Sequence, residues 1–317
     1  MLDHFRVPDD PIFRATPSEL VDARRCTVQL QNGHLYLDAI AGPAQALLGH
    51  DAPMPVRLSA AAAIARLDQM TEGYRCVAVT ANRDEAVTVA ATVARQRYGA
   101  GGSVKLVRAD DGEPDHDDEP DNDAAGIIAL ENESIGRSGD WLSSASWSRQ
   151  PDAIVIGEAL SAGPPFAAVL VAKTNAAAHR TDLLVTCDDE TLVRVGAVIE
   201  TVQSEQLLEQ AAALDLYLRE RLASLQATCT LEGLEFQPLR ATVALASAAA
   251  GARLKRRMCE RGVLVGLDDR GRVVIAPPLV IRPAEIDAIV GALRAALLNR
   301  RWQPLVCCPS CAAIAAD

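Results

Sequence analysis

Residues 151–163 read Pro-Asp-Ala-Ile-Val-Ile-Gly-Glu-Ala-Leu-Ser-Ala-Gly, and their reading decides the fold. An apolar, largely β-branched run, Ala153 to Ile156, stops at Gly157, and a turn of small residues runs on to Gly163-Pro164-Pro165. Such a run predicts a strand buried on both faces, delivering Glu158 to the end of a sheet. Phe166 to Ala172 (FAAVLVA) predicts a second buried strand directly after it. Sheet strands of this kind need helices on both faces, which makes the class α/β.

Upstream, Cys76 to Thr80 predicts a short strand and Glu85 to Tyr98 a helix closed by Gly99, with Asn82, Arg83 and Asp84 in the turn between them. Asp84 is the expected N-cap, and a carboxylate there suits the positive helix end while repelling a phosphate. Val104 to Val107 and Gly126 to Leu130 predict further strands. Between them Asp110 to Asp123 carries nine acidic residues and no apolar one, which reads as a solvated surface linker. Arg57 to Gly73 predicts one helix, Thr191 to Gln226 one long helical stretch, and Phe236 to Leu298 alternating strands and helices. Residues 1–24 predict irregular chain. Cys26 to Asp38 alternates around Asn32-Gly33, a hairpin signal.

The segment around Glu158 resembles the lysine segment of the class III aminotransferases, fold-type-I enzymes that depend on pyridoxal phosphate. Four other stretches carry the same resemblance. Gly33, Tyr36, Leu37, Asp38, Gly42, Gly49, His50 and Pro53 stand where the family has its N-terminal hairpin and Gly-His turn, and His50 is expected to be structural. Glu85-Ala86 and Ala94-Arg95 match the phosphate-binding helix, Gly136-Arg137-Ser138-Gly139 a Gly-Arg-Thr/Ser-Gly motif, and Arg272 to Leu279 with Pro283 to Asp287 the small domain. The resemblance runs from about residue 26 to 300, with an internal deletion.

It implies a fold-type-I large domain with an internally shortened, mostly parallel sheet, plus a small α/β C-terminal domain. The expected division is residues 1–56 as a segment lending a hairpin to the small domain, 57–200 as the large domain, 201–301 as the small domain and 302–317 as a tail. It also implies that the family chemistry is altered. Glu158 occupies the Schiff-base lysine position. Counting back from Arg137 puts the Asp that pairs with the pyridinium nitrogen at Ala129, leaving Glu131 out of step by two. Asn82, Arg83 and Asp84 fill the phosphate turn, and the stacking aromatic falls in the deletion. Thr186 matches the threonine that reaches the partner subunit's cofactor phosphate. Only three lysines occur, Lys105, Lys173 and Lys255.

The expectation is therefore a pocket without catalytic residues and without pyridoxal phosphate, in a scaffold or regulatory subunit forming a homodimer or pairing with an aminotransferase-like protein. Arg83 either pairs with Glu158 or faces solvent. The alternatives are different chemistry, a carrier or metal role for the tail, and, third, an active transaminase. In that tail Cys308 and Cys311, with Cys307 beside them, form half of a metal site at most. The five other cysteines read as buried hydrophobes. A formal net charge of −11 argues against nucleic acid and anionic membranes as partners. The absence of a long apolar run and of a signal-like N-terminus predicts a cytoplasmic chain.

Overall fold

A computed structural model describes residues 20–30, 33–40, 47–51, 53, 58–98, 103–109, 112–113, 125–132, 134–175, 182–226, 228–229 and 231–298. The chain forms two compact units. One comprises residues 42–48 and 52–209, the other residues 1–41, 49–51 and 210–317.

The first unit is built on a six-stranded sheet. In chain order its strands are β4 (Tyr74–Thr80), β5 (Ser103–Arg108), β6 (Ala125–Glu131), β7 (Ala153–Ile156), β8 (Ala167–Ala172) and β9 (Leu184–Val185); in space they run β5-β6-β7-β8-β4-β9. β5, β6 and β7 are parallel, as are β4 and β9, while β8 runs antiparallel to both its neighbours. The all-apolar runs of β7 and β8 are buried at every position, as central strands with both faces covered must be. β5, at the edge, alternates in exposure and leaves Leu106 half in solvent.

Small residues set the packing on one face. Helix α2 (Arg83–Tyr98) turns Ala86, Ala90, Val93 and Ala94 inward at the i, i+4, i+7, i+8 spacing, against Ile128, Leu130, Val155, Val169 and Val171. Helix α1 (Ala60–Gln69), capped by Ser59, packs on α3 (Asp189–Ser204), capped by Asp188. The two hydrogen bonds that Thr191 donates to Asp188 hold that carboxyl below its ordinary range. The single helix expected over 191–226 is in fact two. Gln206 adopts a left-handed backbone (φ 54°), which ends α3 before α4 (Leu207–Gln226) begins.

The start of β7 is held by a buried staple. Asp152 accepts hydrogen bonds from the Ile127 N–H (3.0 Å) and Tyr98 Oη (3.0 Å), and an ion pair from Arg97 (2.6 Å). Burial and the Asp152 charge push the Tyr98 phenol up.

The second unit has two four-stranded sheets. One orders β1 (Leu20–Arg24), β2 (Thr27–Leu30), β3 (Leu35–Asp38) and β12 (Val263–Leu264); the other orders β10 (Gly233–Gln237), β11 (Arg240–Ala244), β14 (Val273–Ile275) and β13 (Gly266–Leu267). Helices α5 (Ala248–Cys259) and α6 (Pro283–Leu297) pack on each other. The hairpin expected at residues 26–38 forms as β2–β3, though Asn32 lies outside the described residues. Residues 20–24, expected to be irregular, form β1: a left-handed Arg25 reverses the chain so that β1 pairs with β2. His50 closes the corner by contacting Asp38 (3.0 Å) while its N–H donates to the Arg25 carbonyl. Gly49, at φ 62°, could carry no Cβ, which would collide with that carbonyl.

Cys26, Cys76 and Cys187 are buried, but Cys229 and Cys259 are partly exposed, against the expectation for all five. Burial pushes the Cys76 thiol up to about 12, with the nearby Asp68 charge adding to the effect. Between pH 9 and 12 the unfolded chain therefore loses this proton while the folded chain keeps it, so stability falls as pH rises. The denaturation midpoint should decline above pH 9, and less steeply in Cys76→Ala. An identical slope in that variant would assign the decline elsewhere.

Candidate functional site

The sequence places its candidate residues at the carboxyl ends of β4, β6 and β7, and the structure of the first unit shows what each does there. β4 ends at Thr80, whose hydroxyl donates to the Asn82 carbonyl (2.7 Å). Asn82 Oδ1 accepts from the Glu85 N–H (2.8 Å), making Asn82 the cap of α2. The expectation that Asp84 caps the helix is thus corrected. Asp84 is one residue inside the first turn and exposed, because the helix starts at Arg83.

Thr186 sits beside this turn in the same chain. Its N–H extends the β4–β9 pairing to Val79 O (3.0 Å) and its hydroxyl donates to Glu85 Oε2 (2.9 Å). Asn82 and Thr186 both bond to Glu85, which brings Asn82, Arg83, Asp84 and Thr186 to one turn. The first turn of α2 carries Asp84 and Glu85, with Arg83 half-buried at its start.

Ala129 is fully buried within β6, paired with Ile154 of β7. The carboxylate at the end of that strand belongs to Glu131, which is almost completely buried. It accepts from the Ser144 N–H (2.6 Å), from Ser143 Oγ (3.1 Å) and from Ser134 Oγ. Sequence reasoning set Glu131 aside on spacing. The signal available was a strand ending on Glu, followed by Ser134, Ser143 and Ser144, three residues able to donate to it.

Glu158 opens a 3-10 turn, Glu158–Leu160, directly after β7 and is half-buried. Gly157 donates its N–H to Glu131 O (2.9 Å), which sets the two strand ends side by side. A Cβ at 157 would meet Asn132 Oδ1, so a larger residue here would have to displace the Asn132 side chain. The turn is closed by the buried Ser161, whose hydroxyl donates to the carbonyls of Glu158 (2.9 Å) and Pro164, with Ala162 (φ 51°) and Gly163 (φ 129°) in the left-handed region. Arg83, the first residue of α2, is half-buried.

None of the three lysines stands at this edge. Lys173 follows β8 and donates from Nζ to Glu72 O near the start of β4; Lys105 lies within β5 and Lys255 within α5. Cys307, Cys308 and Cys311 lie outside the described residues. Among the described residues no group of three His, Cys, Asp or Glu side chains is placed to hold a metal ion, and no helix is long and apolar enough to cross a membrane.

Comparison with known proteins accounts for this architecture. L-lysine-epsilon aminotransferase of Mycobacterium tuberculosis (strain H37Rv) is 33% identical over 108 residues, which is 33% of this chain and 24% of that protein; the match thus spans about a quarter of the curated relative. Acetylornithine aminotransferase from Elizabethkingia anophelis superposes with a TM-score of 0.72 at 16% identity, over 90% of this chain and 94% of that one. A phospholyase from Arthrobacter in complex with phosphoethanolamine gives 0.72 at 17% identity, over 93% and 97%. These two show a shared fold. The model of the family described as aminotransferase class-III matches residues 133–297, just over half of the chain. From the Gly-Arg-Ser-Gly motif to the end of α6, then, this chain belongs to the class-III aminotransferase family.

Proposed function

We propose that this chain is a class-III aminotransferase scaffold without pyridoxal phosphate chemistry, acting as a binding or regulatory subunit. One observation carries the reading: the residue that opens the turn after β7 is Glu158, and the three lysines lie in other elements. Pyridoxal phosphate is held covalently through a lysine amine, and a carboxylate offers no such bond.

The rest of the strand-end cluster supports this. Ala129 has no carboxylate for a pyridinium nitrogen, and the Glu131 carboxylate at the end of the same strand is already taken up by Ser134, Ser143 and Ser144. Where a phosphate dianion would need free N–H donors, α2 is capped by Asn82 and carries two carboxylates in its first turn. The residues present do not fit the cofactor. Titration with pyridoxal phosphate is the direct test, argued below.

The proposed partner is a second copy of this chain or an aminotransferase-like protein. Leu184 and Val185 of β9, at the sheet edge, lie exposed together with Leu183 just before them and next to Thr186. An apolar sheet edge of this kind calls for cover. Light scattering of the purified protein should give a dimer, or a heterodimer once co-expressed with an intact relative. A monomer in both conditions at high concentration would overturn the subunit reading.

A further inference from the structure

Away from the strand ends, the first unit contains a hollow of about 300 Å³ between the β6–β7 crossover, the end of α1 and the start of α4. Met70, Trp141, Leu142 and Leu208 give it apolar walls, and Thr71 and Asp140 contribute polar groups. The volume is at the lower limit of small-molecule sites. It corresponds to about ten waters at roughly 30 Å³ each.

Among the described residues the crossover holds no α-helix: residues 134–152 lead to the start of β7 through turns and one short 3-10 segment, Ser143–Ser146, which fill space less completely than a helix would. The crossover is nonetheless fixed. Its carbonyl at Trp141 accepts from the Gly136 N–H (3.1 Å), and the buried Glu131 carboxylate pins Ser143 and Ser144 just beyond Leu142. A wall fixed in this way is preformed, which lowers the ordering cost of binding. Glu131 thus gains a purpose that the strand-end cluster did not give it: it holds the aromatic wall in place.

The chemistry of the lining selects the ligand. Asp140 is exposed, and its carboxylate has no cation or hydrogen-bond donor among the described residues. Trp141 next to it is buried. A lining that combines Asp140, Trp141 and the side chains of Met70, Leu142 and Leu208 suits a small organic cation with a compact apolar body, through a charge-assisted hydrogen bond and contact with the aromatic ring. We propose that this hollow is a binding site for a small amphipathic ammonium ion. The proposal stands apart from the cofactor reading and uses none of its residues except Glu131.

The test is calorimetric titration of the full chain with phenethylammonium and with its neutral isostere 2-phenylethanol. The ammonium ion should bind saturably and about tenfold tighter than the alcohol, the factor expected of one charge-assisted contact. Asp140→Asn, a conservative change on an exposed residue, should bring the two affinities together. Ala145→Leu, which narrows the lining, should weaken both ligands while leaving the thermal midpoint in place. Absence of saturable ammonium binding to the unmodified protein, equal binding of the two ligands, or a preference that survives Asp140→Asn would overturn the proposal.

Discussion

Purified protein incubated with pyridoxal phosphate and then borohydride should show no stoichiometric mass increase at any one lysine. Reduction traps the cofactor wherever a specific lysine amine holds it, so the experiment reads that bond directly. At the turn after β7 there is only the Glu158 carboxylate, and Lys173, the nearest lysine in sequence, is engaged at the opposite end of β8 with Glu72 O. Low, scattered labelling of exposed lysines is the background; a single fully labelled lysine would sink the reading. The variant Glu158→Lys sharpens the test. It supplies the amine but leaves Ala129 without a carboxylate, Glu131 enclosed by its three donors and the α2 terminus capped by Asn82 with Asp84 and Glu85 behind it. Transamination should stay below detection in this variant, because charge stabilisation and phosphate positioning are separate contributions that one amine cannot replace. Measurable turnover by Glu158→Lys alone would mean that the site is one substitution from activity and that the remodelling around it is superficial.

How much of this was legible in the sequence differs from element to element, for physical reasons. The strands β7 and β8 were readable because burial on both faces demands an unbroken apolar run, which is a signal within one segment. The helix α2 was readable from its spacing, but its cap was not. Asn82 and Asp84 are both good capping residues two positions apart, and which one caps depends on where β4 releases the chain, a fact set by Thr80 and the Asn82 carbonyl. The break between α3 and α4 was hidden for a similar reason, since a left-handed Gln206 carries no glycine signature. β1 was missed because its turn uses Arg25 in the left-handed region, where a glycine or asparagine would have announced it. The role of Glu131 was not legible because counting residues from Arg137 measures position along the chain. Enclosure of its carboxylate depends on Ser143 and Ser144, brought back by a loop of a dozen residues.

Asp152→Ala should destabilise the first unit by about 3 kcal/mol or more, seen as a large drop in the denaturation midpoint. Asp152 precedes the strand that carries Glu158, and sequence reading treated it only as part of a resemblance. In the structure it is nearly fully buried and fastens the start of β7 to two elements: the β6 backbone through the Ile127 N–H, and the end of α2 through Tyr98 and Arg97. The contributions differ in size. Arg97 is about half exposed, so water screens its ion pair and the loss of that pair alone is small. The Ile127 N–H is buried, and once the carboxylate is gone one of its hydrogen bonds has no replacement; an orphaned buried donor costs about 1–3 kcal/mol. The Tyr98 hydroxyl loses its acceptor at the same time, and removal of the side chain leaves a hole against Gly126, where Asp152 and Tyr98 both approach the strand. Asp152→Asn separates these effects. The amide oxygen still accepts from Ile127, so the isostere should lose about 1–2 kcal/mol, the charge-assisted part. If Arg97→Ala proved as damaging as Asp152→Ala, the stabilisation would lie in the surface ion pair and not in the buried carboxylate. If Asp152→Asn matched Asp152→Ala, it would lie in the charge rather than in the satisfied backbone of β6.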